Sequence, residues 1–149
     1  MNTAIGDWAG HAGQALERHG YRASAPRAAV VEALAELGCS VTAREIAALL
    51  DERGRGVGLA SIYRALELLD RLRLVQRVDV GEGVTRYEPA HPSGEHHHHL
   101  VCDSCGGVST FEDQGLERAI ERLAQRVDYA IDAHDVTLRG ECPACRSSA

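Results

Sequence analysis

Apolar residues recur at helical spacing through the first half of the chain, and the period then switches to two. Residues 7–19 read as a short helix closed by Gly20. Residues 26–37 follow, with Pro26 in the first turn, Val30, Val31, Leu34 and Leu37 at helical intervals, and Gly38 as the stop. Thr42 and Glu45 stand three apart, the spacing at which a hydroxyl and a carboxylate satisfy each other's orphan backbone donors. They open a helix running to about Arg53, with Ile46, Leu49 and Leu50 on one face. Gly54, Gly56 and Gly58 interrupt the chain, and a fourth helix covers Leu59–Arg71 with Ile62, Leu66 and Leu69 as its apolar stripe. Alternation then begins: Val75, Arg77 and Asp79 against Gln76, Val78 and Val80, a turn at Gly81-Glu82-Gly83, and a return strand from Val84 to Glu88. Helices followed by a hairpin give the order of a winged helix-turn-helix, whose pair is the third helix and Leu59–Arg71.

Pro89, Pro92, Ser93 and Gly94 mark a hinge. Beyond it the pattern predicts a strand at His96–Val101, a strand at about Val108–Phe111, and a helix from about Gln114 to Val127 carrying Leu116, Ile120, Leu123 and Val127 in register. A last strand is expected over 129–139. The fold class is therefore α+β: a winged helix over residues 1–88, a hinge over 89–95, and a small α/β unit over 96–149.

Charge changes the picture by its distribution. The net charge is −6, and all sixteen basic residues are arginine. Residues 1–88 hold eleven Arg and twelve acids, whereas residues 89–149 hold five Arg and ten acids. An acidic chain is unsuited to indiscriminate nucleic-acid binding, so a DNA-binding face belongs on the near-neutral first half. No run approaches the ~20 apolar residues of a membrane span.

The second half concentrates metal-ligating side chains. His96 to His99 run into Cys102-x-x-Cys105, and Cys142-x-x-Cys145 follows near the end of the sequence. Two such pairs make a tetrahedral S₄ site for zinc. Two disulfides are the competing use of four cysteines. Residues 1–7, however, carry neither the basic nor the apolar segment of a secretory leader, so a reducing compartment and a metal site are expected. Side chains alternate faces along a strand, so His96 and His98 point one way and His97 and His99 the other. Residues two apart lie about 6–7 Å from each other, within reach of one ion. One strand can thus serve two sites. On the fourth helix Ser61, Tyr63 and Arg64 lie away from the apolar stripe in the first turns, where a recognition helix meets base edges. Arg64 can contact a guanine bidentately, Tyr63 reads equally as half-buried packing, and Arg22, Arg27 and Arg77 are candidate phosphate contacts.

Pro26-Arg27, Ser61-Ile62-Tyr63-Arg64, Arg86-Tyr87-Glu88, the block from His96 through Cys102-x-x-Cys105-Gly106, and Gly140-x-Cys142-x-x-Cys145 together resemble the ferric uptake regulator family of metal-responsive transcription factors. The chain is most like the family's zinc-uptake branch. The resemblance runs from about Arg18 to Cys145 in the family's order. It implies a cytoplasmic homodimer, a C-terminal unit that dimerises, and metal-dependent closure on a palindromic operator in double-stranded DNA. It implies structural zinc on Cys102, Cys105, Cys142 and Cys145, a second site on His96, His98, Glu117 and His134, and a regulatory hinge site on Glu88, His97 and His99. The family's iron and peroxide sensors add a histidine near the position of Ser40 and an acid at that of Thr110. This chain has neither, which leaves Cys39 or His91 as candidate further ligands.

The reading is a non-enzymatic, metal-dependent repressor of metal-homeostasis genes, with zinc as the regulatory metal and no small-molecule substrate. Iron, manganese, nickel or peroxide sensing is the alternative within the family. A zinc hydrolase or a metal-storage protein is the alternative of another class. A hydrolase would need an open coordination position for water, and no His-Glu-x-x-His motif is present.

Overall fold

The computed structural model describes residues 3–38, 40–81, 83–90 and 97–148, with side chains from Trp8 onward. The chain divides into two compact units, residues 1–95 and 96–149.

The first unit is built from α1 (Thr3–Arg18), α2 (Ala25–Leu37), α3 (Ala43–Glu52), α4 (Leu59–Arg71), β1 (Val75–Gly81) and β2 (Val84–Pro89). Its helix starts follow local chemistry. Ser24 caps α2 by accepting the Arg27 N–H, with a proline in the first turn. Thr42 and Glu45 form the reciprocal capping box expected of them. Gly38, at φ 78°, ends α2 where a side chain would be strained. The stripes meet in one core, in which Val30, Leu34, Ile46, Leu50, Ile62, Leu66 and Leu69 are essentially inaccessible. Trp8 closes it from α1, its indole N–H donating to the Leu74 carbonyl at 2.9 Å. The wing β1–β2 is antiparallel and bulged between Asp79 and Gly81. Val41, just ahead of α3, pairs with Tyr87 and ties the helix-turn-helix to the wing.

The second unit contains β3 (His98–Cys102), β4 (Val108–Phe111), α5 (Gln114–Val127), β5 (Thr137–Gly140) and the short α6 (Pro143–Ser147). Its sheet has the order β4-β3-β5, with β3 antiparallel to β4 and parallel to β5. Only His98, His99, Val101 and Cys102 are buried among its described residues.

Two sequence expectations change here. The histidine strand begins at His98, not His96: Asp113 accepts the Leu116 N–H as the cap of α5, so β4 stops at Phe111 and the ladder opposite the histidines ends with it. His96 itself lies outside the described residues. The expected last strand shrinks to Thr137–Gly140 because β3 offers only His99–Cys102 as a partner. Residues 129–136, interrupted by Asp132, His134 and Asp135, form no regular element after Asp128 closes α5 in the left-handed conformation.

Candidate metal centres and DNA-contacting face

The four knuckle cysteines converge at the end of the C-terminal sheet. Cys102 is the last residue of β3, and Cys105 follows in a turn closed by the Gly106 N–H on the Cys102 carbonyl at 2.8 Å. Beyond β5, Cys142 caps α6 and Cys145 lies within it. The four sulfurs lie within 4.8 Å of one another, and the Cys105 and Cys142 sulfurs are 4.0 Å apart. A tetrahedron of sulfurs about 2.3 Å from an ion has edges of about 3.8 Å, so the arrangement fits a zinc ion with little adjustment. The same crowding divides the thiols. The Cys142 backbone N–H, donating to the Cys102 sulfur at 3.3 Å, is the main cause that lowers the Cys102 pKa to about 6. Hydrogen bonding with the thiols of Cys142, Cys105 and Cys102 raises Cys145 to about 12. Four adjacent sulfurs cannot all ionise without a cation among them, and a divalent ion removes that conflict.

A second group lies across β3, α5 and the segment before β5. His98 is fully buried; its Nδ1 lies 3.2 Å from the Val136 backbone N–H, and its Nε2 faces Glu117 Oε1 at 2.5 Å. His134 Nε2 meets the other carboxylate oxygen at 2.8 Å. One carboxylate thus bridges two imidazoles, with Phe111 beside the His98 ring. The three donors lie within 4.8 Å of each other, a set able to hold a divalent ion.

The hinge residues are distributed over both units. Glu88 lies on β2 and is buried, His99 on β3 is fully buried, and His97 precedes β3 half-exposed. Cys39 and His91, the candidate further ligands, lie outside the described residues. Ser40 has φ 60°, and its carbonyl accepts the Arg86 guanidinium at 2.6 Å. Arg86 also pairs with Glu45 at 3.5 Å, so this arginine clamps the start of the helix-turn-helix onto β2. Sequence reasoning missed that clamp because its partners are 46 positions apart.

On α4, Tyr63 and Arg64 are exposed, and Arg64 Nη2 donates to Ser61 Oγ at 3.0 Å. Tyr63 is 42% exposed and lines a shallow cleft with Glu67, Arg77, Gly83, Thr85 and Tyr87. Arg77 remains half-exposed, 3.7 Å from Asp70. Arg27 stacks over the Tyr21 ring at 5.6 Å while donating to the Arg22 carbonyl. Ser61, Tyr63 and Arg64 thus lie at the start of the second helix of the pair, the end by which a recognition helix ordinarily enters a major groove. Arg64→Ala is expected to weaken operator binding by ~1–3 kcal/mol with an unchanged melting temperature. Operator affinity equal to that of the parent protein would remove α4 from the recognition role.

A winged helix joined to a small sheet carrying paired cysteine knuckles and a His-Glu-His cluster defines a metal-responsive DNA-binding regulator. The comparisons bear this out. Residues 18–139 match the model of the ferric uptake regulator family. The ferric uptake regulation protein of Bacillus subtilis is 35% identical over 132 residues, covering 87% of this chain and 89% of that protein. The crystal structure of the Vibrio cholerae ferric uptake regulator is similar at a TM-score of 0.72 and 31% identity, over 87% of this chain and 98% of that one. A zinc uptake regulator solved with zinc and DNA shares the fold at a TM-score of 0.62 and 21% identity, over 98% and 97% of the two chains. The chain belongs to the ferric uptake regulator family. Its members are transcriptional regulators, which sets aside the hydrolase and the storage protein. No helix among the described residues is long and apolar enough to cross a membrane.

Proposed function

We propose that the protein is a cytoplasmic, homodimeric repressor of metal-homeostasis genes that binds a palindromic operator when loaded with a divalent ion, and that this ion is zinc. The observation that carries the reading is the clustering of His98, Glu117 and His134 beside four converging cysteines, in a chain whose other unit presents Arg64 on a helix-turn-helix. In this reading Cys102, Cys105, Cys142 and Cys145 hold a structural zinc, and His96, His98, Glu117 and His134 hold a second ion. Glu88, His97 and His99, with Cys39 or His91 as candidate fourth donor, hold the regulatory ion. Arg27, Ser61, Tyr63, Arg64 and Arg77 contact DNA.

The donor chemistry supports zinc, because imidazole and thiolate ligands favour it over the oxygen-rich sets suited to manganese. The homodimer is supported by α5 and the residues after it. That helix buries none of its side chains within the chain, while Leu123, Val127, Ile131 and Leu138 are 43–50% exposed and Tyr129 73%. An apolar surface of that kind marks a partner. Iron sensing is the second reading, favoured by the names of the relatives above 30% identity.

The test is fluorescence anisotropy of the full-length protein on promoter DNA, titrated with zinc, iron(II), manganese and nickel. Zinc is expected to produce tight, saturable binding at the lowest free concentration. Tightening by iron(II) alone would transfer the regulatory role to iron, and equal affinity with and without every metal would overturn metal dependence.

A further inference from the structure

Helix α4 carries a carboxylate that none of the sites above uses. The helix buries Ile62, Ala65, Leu66, Leu68 and Leu69, which leaves Ala60, Tyr63, Arg64, Glu67 and Arg71 exposed. In helix-turn-helix proteins whose recognition helix lies in the major groove, bases are read by side chains three, four and seven positions beyond the first contact. Counted from Ala60, those positions are Tyr63, Arg64 and Glu67. Glu67 thus shares the face of Arg64, about one turn further from the helix start, and is the only acid among these exposed residues.

The neighbouring cations leave this carboxylate alone. Arg64 donates to Ser61 Oγ at 3.0 Å. Arg77 lines one cleft with Glu67, yet lies 3.7 Å from Asp70 instead. Arg71 stands four residues on, at the spacing of a helical ion pair, and forms none with it. Among the described residues Glu67 makes no hydrogen bond or ion pair. An unneutralised carboxylate on a face that meets a polyanion weakens binding to every sequence, unless the duplex donates a hydrogen bond to it. In the major groove the donors are the exocyclic amines of cytosine and adenine, whereas guanine and thymine present acceptors. Adenine sets its N7 acceptor beside the amine, so an approaching carboxylate meets a lone pair there. Cytosine shows its amine with no acceptor of its own. A glutamate at this position repels three bases and accepts one, and discrimination comes from the repulsion as much as from the hydrogen bond.

We propose that Glu67 is a specificity-determining residue of the DNA contact, its carboxylate accepting a hydrogen bond from the N4 amine of a cytosine in the major groove. The proposal rests on α4 as the recognition helix, and the experiment keeps the two separable. Random-sequence duplexes are selected with full-length protein, separately in zinc, iron(II), manganese and nickel, and base preferences are read by sequencing. The proteins compared are the parent, Glu67→Ala, Glu67→Gln and Arg64→Ala. The parent is expected to prefer cytosine at one position of each half-site by ~5–150-fold, the cost of one mismatched base pair. Glu67→Ala should erase the preference at that position alone and keep the guanine whose selection Arg64→Ala loses. Glu67→Gln, whose amide can pair with both N6 and N7 of adenine, should move the preference from cytosine to adenine. If Arg64→Ala loses a position and neither Glu67 variant does, Glu67 reads no base, while α4 remains the recognition helix. Tighter binding of Glu67→Ala to all sequences by one common factor would reduce the carboxylate to plain repulsion and overturn the proposal. A parent that selects no sequence with any of the four metals would overturn both the proposal and the role of α4.

Discussion

Replacing Cys102 with serine is expected to release one tightly held zinc per chain and to unfold residues 96–149 while the first unit remains folded. The expectation follows from how little else holds the C-terminal unit together. Its described buried residues are His98, His99, Val101 and Cys102, and two of these are imidazoles. Its sheet has three short strands, and α5 packs no residue out of solvent within the chain. A unit this small lacks the apolar burial to offset the entropy of ordering its backbone. A structural zinc contributes apparent free energies of about 10–16 kcal/mol in small metal-stabilised folds, enough to decide the matter. The first unit has its own core around Trp8, Leu34, Ile46 and Leu66 and makes no use of the ion. Zinc content by mass spectrometry, circular dichroism and size-exclusion chromatography should therefore change together: no tightly bound zinc, a residual helical signal from α1–α4, and loss of the dimer. Full zinc content with an unaltered melt in Cys102→Ser would sink the assignment, and Cys142→Ser provides an independent check from the other knuckle.

The second large effect separates adjacent histidines. His97→Ala is expected to abolish metal-dependent operator binding while the dimer persists. Glu117→Gln, which disrupts the partner of His98 and His134, should instead lower the melting temperature of the dimer or shift the metal response. The reason lies in which ligands each ion gathers. His98, Glu117 and His134 all belong to one unit, so an ion held there as proposed would stiffen that unit alone. The proposed regulatory set draws on Glu88 as well as His97 and His99, so its ion couples metal occupancy to the winged helix. Converting a 1:99 population into 99:1 takes about 5.5 kcal/mol of differential binding. Loss of one ligand from such a site removes much of that coupling. Anisotropy on operator DNA, with and without zinc, and thermal melts of both variants read the two effects independently. Variants of His97 and Glu117 that behave alike in both assays would refute the division of labour.

What was legible in the sequence was local. The Thr42–Glu45 box, Pro26 in the first turn, the stops at Gly38 and Gly54, and the Leu59–Arg71 stripe each depend on residues within four or five positions, and they appear where the pattern places them. The convergence of the two knuckles was legible for a different reason: thiolates paired three positions apart have few other uses. What was lost was decided by partners far along the chain. The start of β3 depends on where Asp113 turns β4 into α5, and the length of β5 depends on how much of β3 is left to pair. The helix Pro143–Ser147 was missed despite a readable signal, Cys142 as its cap with Pro143 next.

The parallel pairing of β3 with β5 has a consequence for how the protein comes into being. The cysteines it brings together are 37 positions apart, and the entire β4–α5 segment must be spanned before they meet. Closing a loop of that size costs about 3 kcal/mol beyond a constant term, before any contact repays it. The helices of the first unit, by contrast, assemble from near neighbours, the kind of contact that forms fast. A ribosome delivers Cys142 and Cys145 last, so a nascent chain carries a finished winged helix ahead of an unclasped C-terminal half. If the four sulfurs hold zinc as proposed, zinc supply at that moment would decide between clasping the C-terminal half and leaving it open to proteases.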